Sequence, residues 1–192
     1  MEIAIIGTGF IGTTLGRALS KAGHQIRFGS RHPEDVASDS VGAPVAPIAE
    51  ALSRSEVVIL ALPAAAVAGL AEEHGEALVG KLVIDATNRM GASETNSRTA
   101  LPTGVRYARA FNPMSGENMA EPVFAEGQAD MFFSAPEADQ SVVESVIEGV
   151  GLRPIYVGQD QEELIDALFR LWIALAVTQG RGRRLAFRLL QA

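Results

Sequence analysis

The fold of this chain is decided by residues 3–12, which read Ile3-Ala4-Ile5-Ile6-Gly7-Thr8-Gly9-Phe10-Ile11-Gly12. The first four are apolar and mostly β-branched, and a glycine follows at once, which is typical of a buried parallel strand. Apolar side chains then recur at helical spacing up to residue 22, and Gly23 is a typical helix end. The stretch therefore predicts a strand, a glycine-rich turn and a helix in direct succession.

The turn has the spacing Gly-x-Gly-x-x-Gly, and each glycine in it has a physical reason. Gly7 permits the tight turn, Gly9 leaves room for a pyrophosphate near the backbone, and Gly12 lets the helix pack closely on the sheet. The free N–H groups and the positive dipole end of the helix would face the phosphates. Glycine-rich turns are common, but the position between a strand and a helix favours a dinucleotide site over an ordinary tight turn.

The end of the second predicted strand, residues 25–29, indicates which dinucleotide binds. An enzyme specific for NAD usually carries an Asp or Glu there, which bonds to the ribose 2′-hydroxyl. This chain has Ser30 and Arg31 instead, a hydroxyl and a planar cation that suit a 2′-phosphate. The alternative is that Arg31 is an ordinary solvated loop charge. Its position favours the first interpretation, so the sequence predicts binding of NADP(H).

The composition narrows the classes of function. The 192 residues carry a formal net charge of −7, which argues against broad binding to nucleic acid or to an anionic membrane. The chain has no cysteine, which excludes disulfides and cysteine nucleophiles, and its three histidines lack metal-ligand spacing, so no metal site is predicted. Neither a secretory signal nor an apolar run long enough to span a bilayer is recognisable, and a cytoplasmic protein is expected.

Strands and helices alternate along the chain, which predicts an α/β fold of the Rossmann type with a doubly wound, mostly parallel sheet. Further strands are expected at residues 44–46, 57–61, 82–84, 106–111, 131–133 and 154–157, with a long loop at 89–103. No linker is recognisable, so residues 1–192 are expected to form a single domain. Its C-terminal portion, from about residue 160 to 192, is expected to be helical.

The C-terminal portion carries two further predictions. It should begin with a capping arrangement at Asp160 and Glu163, and it should end in a short helix over residues 185–190. An apolar stripe runs between them, formed by Leu164, Leu168, Leu171, Trp172 and Leu175. Such a stripe either packs within the chain or meets a second copy, and a homodimer is expected, with an intramolecular core as a close alternative.

Ligands bind beyond the carboxyl ends of the strands in sheets of this kind. Besides the glycine loop, three loops should reach that edge, and their candidate cofactor-binding residues are Leu62, Pro63, Asn88, Ala110 and Asn112. Asn and Pro are also ordinary turn formers, so each loop alone is a weak indication. We recognise no Ser-Tyr-Lys set and no His–carboxylate pair, and no catalytic residue is assigned. A hydride exchange between two cofactors needs mainly proximity and orientation from the protein.

The chain resembles the NADPH-dependent deazaflavin reductases, also called coenzyme F-420-dependent NADP oxidoreductases, and the dinucleotide-binding enzymes grouped with them. The resemblance covers nearly the whole chain and rests on IGTGFIG at 6–12, FGSR at 28–31, VVILALP at 57–63, VIDATN at 83–88, RAFNPM at 109–114 and LWIALAVTQGRG at 171–182. It implies NADP as cofactor, with a deazaflavin as second substrate.

The resemblance also implies roles for individual residues. The 2′-phosphate side of NADP would be held by Thr8, Ser30 and Arg31. The pyrophosphate would be approached by Phe10 and Ile11. The loops at Leu62-Pro63 and at Asn88 would flank the ribose and the nicotinamide.

Two departures from the family pattern lie near the expected second-substrate pocket. Pro113-Met114 stands where family members often have Thr, and residues 127–130 read GQAD where Gly-Asp-Asp is common. The small-molecule hydride acceptor therefore stays open between a deazaflavin or flavin-like ring, a small imine or carbonyl, and a ferric or flavin substrate. An NADP(H)-binding sensor module is the non-enzyme alternative. Four arginines near the C-terminus are either a solvated helix end or part of an acceptor site: Arg181, Arg183, Arg184 and Arg188.

Overall fold

The computed structural model describes residues 1–89 and 97–190 of the chain. Within these ranges the strands are β1 Glu2–Ile6, β2 Gln25–Ser30, β3 Val45–Pro47, β4 Val57–Leu60, β5 Leu82–Asp85, β6 Arg106–Arg109, β7 Val123–Phe124, β8 Gly127–Gln128, β9 Asp130–Phe133 and β10 Arg153–Tyr156. The first six form a parallel sheet in the order β3-β2-β1-β4-β5-β6. The strand order reverses between β1 and β4, which opens a crevice at their carboxyl ends.

Helices connect these strands and cover both faces of the sheet. Their bounds are α1 Phe10–Lys21, α2 Ser38–Val41, α3 Ile48–Ser53, α4 Val67–Leu78, α5 Ser97–Ala100, α6 Gly116–Ala120, α7 Gln140–Gly149 and α8 Glu162–Ile173. A π-helical stretch at 174–178 continues α8. The predicted α/β fold with a doubly wound sheet is confirmed. The long loop expected at 89–103 lies partly outside the described residues, and 97–100 form α5.

Strand β1 shows how the sequence distributes its apolar side chains between the two faces. Successive residues of a strand point to opposite sides, so Ile3 and Ile5 join the apolar layer of α1 and α7. Ala4 and Ile6 join the opposite layer, which α3 and α4 cover. All four side chains are buried, which explains why the strand reads as a continuous apolar run.

Strand β6 ends earlier than the expected 106–111, because Phe111 has a left-handed backbone with φ 69°. The ladder instead continues through an antiparallel bridge, in which Arg109 and Ser134 exchange backbone hydrogen bonds of 2.8 and 3.1 Å. This bridge attaches β9 to the edge of the main sheet, and β10 pairs with β9 in parallel. The hairpin of β7 and β8 was not expected from the sequence.

Two predictions about the C-terminal portion are wrong. Asp160 adopts φ 58° and pairs with Arg98, so the cap of α8 is Gln161 and no side chain caps it. Residues 183–190 are not helical, because Gly180 and Gly182 leave the helix with φ of 67° and 88°. The helical part of the C-terminal portion therefore ends at residue 178.

A buried charge network fixes α8 against the carboxyl edge of the sheet. Asp85 and Arg109 are partners in the register of β5 and β6, and the guanidinium donates to the Asp85 carboxylate at 2.6 Å. The same guanidinium donates to Asp166 of α8 at 2.5 and 2.8 Å, and Arg89 also pairs with Asp166. Tyr107 donates its hydroxyl hydrogen to Asp85 at 2.6 Å.

Burial and the neighbouring charges shift the pKa of the Arg109 guanidinium in opposite directions. Removal from water lowers the pKa of its guanidinium, but the neighbouring Asp85 and Asp166 carboxylates outweigh that effect and raise the pKa above its ordinary value. Burial, together with the charge of Asp85, also raises the pKa of the Tyr107 hydroxyl well above its ordinary value. The guanidinium therefore stays charged and the phenol stays protonated throughout the physiological range.

Replacing Arg109 with Met should lower the free energy of unfolding by about 3–5 kcal/mol, because two carboxylates lose their common buried cation. The measurement is equilibrium denaturation in urea. The matched control is Arg27→Met on β2, whose exposed pairing with Glu50 at 3.7 Å should contribute about 0–1 kcal/mol. Equal losses in the two variants would contradict the assigned importance of the network.

Candidate functional site

The glycine loop joins β1 to α1 in three residues, and its geometry gives each glycine a different constraint. Gly7 has φ 119°, and a side chain there would overlap the carbonyl oxygen of Ala61. A side chain at Gly12 would overlap the carbonyl oxygen of Gly7. Gly9 has an ordinary φ of −75°, and an added Cβ would have no heavy atom within 4 Å. The space above Gly9 is thus open, as a bound pyrophosphate would require.

A cavity of about 440 Å³ opens from this loop across the crevice between β1 and β4. Its walls are the glycine loop, the end of β2 and the start of α4. The predicted cofactor residues that line it are Gly7, Thr8, Gly9, Ser30, Arg31, Leu62 and Pro63. These residues come from three separate segments, and the strand order of the sheet brings them to one place.

Arg31 lies at the mouth of the cavity with an exposed side chain. Within residues 1–89 and 97–190, the structure gives it no ion pair, whereas Arg27 on the preceding strand β2 pairs with Glu50. The backbone N–H of His32 donates to the Ser30 hydroxyl oxygen at 3.1 Å, so the hydroxyl hydrogen remains available to another acceptor. An unpaired cation beside a free hydroxyl is a suitable environment for a phosphate.

Phe10, Ile11 and Gly12 lie at the first turn of α1 rather than along the cavity wall. The side chains of Phe10 and Ile11 point to α6, since a Cβ added at Gly116 would meet them at 2.6 and 2.8 Å. Only their backbone N–H groups can face a ligand at the helix start, where the first turn has no intrahelical acceptors.

The three remaining predicted residues form a cluster beyond that cavity. The Asn112 side-chain N–H₂ donates to the Thr87 carbonyl at 2.9 Å and to the Asn88 side-chain oxygen at 3.3 Å. Asn88 in turn donates to the Asn112 carbonyl at 3.3 Å. Asn112 and Ala110 are fully buried, and neither they nor Asn88 lines the cavity. The structure therefore assigns these residues to the joining of the loops after β5 and β6.

The cavity also has a wall that the sequence analysis did not anticipate. It is formed by Ala65 and Ala66 of the 3₁₀ turn that precedes α4, and by Gly69, Leu70 and Glu73 of α4 itself. The signal was present in the sequence, because positions 66, 69, 70 and 73 share one helical face directly after the fourth strand. The Asp85–Arg109–Asp166 network was missed for another reason, since its members are 24 and 57 residues apart.

This arrangement of glycine loop, crevice and unpaired cation agrees with the comparison to known families. Residues 2–89 match the family described as NADP oxidoreductase, coenzyme F420-dependent. The match covers β1 to β5 and so includes the glycine loop, Ser30-Arg31 and Leu62-Pro63. The resemblance to F420-dependent NADP oxidoreductases that the sequence predicted is confirmed over these residues.

Curated relatives of the chain are NAD(P)-dependent dehydrogenases. A glycerol-3-phosphate dehydrogenase (NAD(P)+) of Pseudomonas syringae pv. tomato is 24% identical over 193 residues, covering 91% of this chain and 56% of that protein. The corresponding enzyme of Pseudomonas fluorescens SBW25 is 26% identical over 202 residues, covering 94% of this chain and 59% of that protein. The chain thus spans less than two thirds of the length of these relatives.

Solved structures share the fold over nearly all of this chain. A protein of Arthrobacter sp. FB24, described as a candidate F420-dependent NADP reductase, superimposes with a TM-score of 0.83 at 24% identity and covers 100% of both chains. An imine reductase of Streptomyces aurantiacus superimposes with a TM-score of 0.74 at 20% identity, covering 94% of this chain and 64% of that one. At this identity the likeness establishes the Rossmann-like fold.

The basic C-terminal segment is occupied by contacts within the chain. Arg183 donates two hydrogen bonds to the Glu117 carboxylate, at 2.9 and 3.1 Å. Arg184 donates to the carbonyl of Glu121 at 2.8 Å and lies 4.6 Å from the centre of the Phe124 ring, and Arg188 bonds to the carbonyl of Glu126. These contacts hold residues 183–190 against α6 and the β7–β8 hairpin.

His32, Glu34 and Asp35 are exposed and place possible metal-ligand atoms within 4.8 Å of one another. The His32 ring lies 3.6 Å from the Glu34 carboxylate.

Within the ranges that the structure covers, none of the helices combines the length and the apolar character that crossing a bilayer requires.

Replacing Gly9 with Val should abolish dinucleotide binding and leave the fold intact, because the side chain enters open space that the pyrophosphate needs. Titration calorimetry with NADP+ measures the first effect and thermal unfolding the second. The matched control is Gly12→Val, which should lower the melting temperature because its side chain overlaps the Gly7 carbonyl. Undiminished binding of NADP+ to the Gly9→Val protein would show that the glycine loop does not hold the dinucleotide.

The Arg183 side chain holds the pKa of Glu117 down at about 2 from an ordinary 4.5. A depressed folded-state pKa means that this pair contributes its full stability above pH 4.5 and loses it as the pH falls toward 2. In an NMR titration, Arg183→Gln should raise the pKa of Glu117 toward 4.5, and Arg181→Gln should leave it unchanged. An unshifted Glu117 in the Arg183 variant would contradict the pairing.

Proposed function

We propose that this chain is an NADP(H)-dependent oxidoreductase that transfers a hydride between NADPH and a deazaflavin or flavin-like acceptor. The observation that carries the proposal is the unpaired Arg31, beside the free Ser30 hydroxyl, at the mouth of a cavity that begins at the glycine loop. NADPH, when bound, supplies the hydride, and the residues of the chain bind and orient it. The match of residues 2–89 to F420-dependent NADP oxidoreductases supports the same reading.

The 2′-phosphate fits the end of β2 on electrostatic grounds. A carboxylate in the place of Arg31 would accept hydrogen bonds from the ribose hydroxyls of NAD and would repel a phosphate. The acidic residues Glu34 and Asp35 belong to a short 3₁₀ turn after the strand and do not line the cavity. The guanidinium and the hydroxyl together offer several donors to the phosphate oxygens, and no ion pair with another described residue competes for the guanidinium.

The chemistry expected at this site needs little proton transfer from the protein. Among the described residues, the ionisable ones that line the cavity are Arg31 and His32, which follow β2, and Glu73 on α4. Tyr107 is buried and held by Asp85, so it is not available as an acid. An acceptor that carries its own electron sink, such as a deazaflavin or flavin ring, suits this arrangement better than a simple carbonyl or imine.

The acceptor is tested by a screen that follows the absorbance of the reduced nicotinamide, which falls where NADPH is oxidised and rises where NADP+ is reduced. Its arms are coenzyme F420, FMN, FAD, a ferric chelate, a cyclic imine and, with NADP+, glycerol 3-phosphate. The proposal expects turnover with F420 or a flavin. Turnover with only the imine or only glycerol 3-phosphate would show that this compound, and not a deazaflavin or flavin, is the second substrate. Tight NADPH binding without any turnover would indicate a sensor module.

The homodimer expected from the apolar stripe of α8 stays a prediction. Leu164 and Leu171 are 45% and 47% exposed, whereas Phe169 and Trp172 on the other side of α8 are buried. The stripe is therefore divided between an intramolecular contact with Leu185 and Phe187 and a face that is open in the single chain. We propose a homodimer as the state that covers the open face.

Replacing Arg31 with Ala should weaken NADPH binding about tenfold, because a charge-assisted contact to the 2′-phosphate is lost. NADH lacks that phosphate, so its affinity should barely change. The control is Arg54→Ala, which removes an exposed arginine paired with Glu50 outside the cavity. Equal losses for NADPH and NADH in calorimetric titrations would disprove the assignment of Arg31.

A further inference from the structure

We infer that Glu73 recognises the 6-amino group of the adenine ring, and so selects an adenine over an oxo-purine dinucleotide. The inference rests on the proposed binding of NADP(H) and assigns the far end of the same cavity. Glu73 is the one carboxylate among the residues that line this cavity, and nothing in the glycine fingerprint or in Ser30-Arg31 predicts its presence.

The position of Glu73 follows from the path that the cofactor must take. The pyrophosphate belongs above Gly9, and the 2′-phosphate belongs beside Arg31 at the end of β2. The adenine ring is attached to the same ribose as the 2′-phosphate, so it must occupy the part of the cavity between the end of β2 and α4. Glu73 closes that part, one turn of α4 beyond Gly69.

The α4 wall next to Glu73 is shaped for a flat ring. Gly69 is the third residue of α4, and glycine is a weaker helix former than alanine. No packing contact with residues 1–89 or 97–190 explains it, because an added Cβ would meet none of their heavy atoms within 4 Å. A planar ring lying against the helix backbone is a reason for leaving this position without a side chain.

The carboxylate of Glu73 is free to accept hydrogen bonds. Its side chain is 67% exposed, and its pairing among the described residues is with the adjacent His74 ring at 3.8 Å, which contributes only when that ring is protonated. Adenine presents an amino group with two hydrogens at C6, and a carboxylate only accepts. Hypoxanthine presents an oxygen at the same place, which would face the negative charge without a hydrogen between them.

The experiment compares NADPH with its hypoxanthine analogue, deamino-NADPH, by titration calorimetry at one salt concentration. The wild-type protein should bind NADPH about three- to tenfold more tightly than deamino-NADPH. Glu73→Ala should reduce that ratio to about one, and the control Glu72→Ala, at the exposed neighbouring position, should leave it unchanged. Equal affinities of the wild-type protein for the two dinucleotides, or a ratio that survives Glu73→Ala, would overturn the inference.

A second variant tests the adjacent wall without depending on Glu73. Gly69→Leu should weaken binding of both dinucleotides at least tenfold and raise the melting temperature, because leucine favours the helix and fills the space of the ring. Undiminished binding with a raised melting temperature would overturn the placement of the adenine. These outcomes are distinct from failure of the proposed function, in which the wild-type protein would not bind NADPH or would not oxidise it with any acceptor.

Discussion

The start of α1 can approach the end of β1 only because Gly12 brings no side chain against the carbonyl oxygen of Gly7. This contact sets where the first helix begins, and the open space above Gly9 is a consequence of it. Gly7 itself must lie against the backbone of Ala61 at the end of β4. Strand, helix and neighbouring strand are thus fixed to one another at the point where the crevice of the sheet opens.

The sequence predicts the site well where the chemistry is local. The strand-turn-helix signal of residues 3–22 and the polar pair at the end of β2 lie within thirty residues, and the structure brings them to one cavity. Leu62 and Pro63 were found because a continuous apolar strand precedes them. Sequence reasoning missed the α4 wall although positions 66, 69, 70 and 73 share one helical face, because most of the side chains on that face are small or apolar.

Other differences arise where tertiary contacts override local patterns. Asn88, Ala110 and Asn112 follow their strands as predicted, and their hydrogen bonds and burial also join two loops, so their contact with a cofactor stays a prediction. Residues 185–190 have an apolar pattern typical of a helix. The side chains of Asn118 and Trp172 bind the Leu185 carbonyl at 2.7 Å, and the Phe187 carbonyl accepts from the N–H of Asp130, so these backbone groups are satisfied outside a helix.

The charges at the carboxyl edge of the sheet fall into two groups with different freedom. Asp85 and Asp166 share the guanidinium of Arg109 in the interior and so tie β5, β6 and α8 together, and Arg89 supplies a second cation to Asp166. Arg31 directly follows β2, on the other side of the strand-order reversal, and shares no hydrogen bond or ion pair with that group among the described residues. The side chains at the cavity and the buried framework of β5, β6 and α8 are therefore separable parts of this chain. Divergence at the end of one strand can change the charge beside the cavity, while the other half of the sheet keeps its ion pairs and its shape.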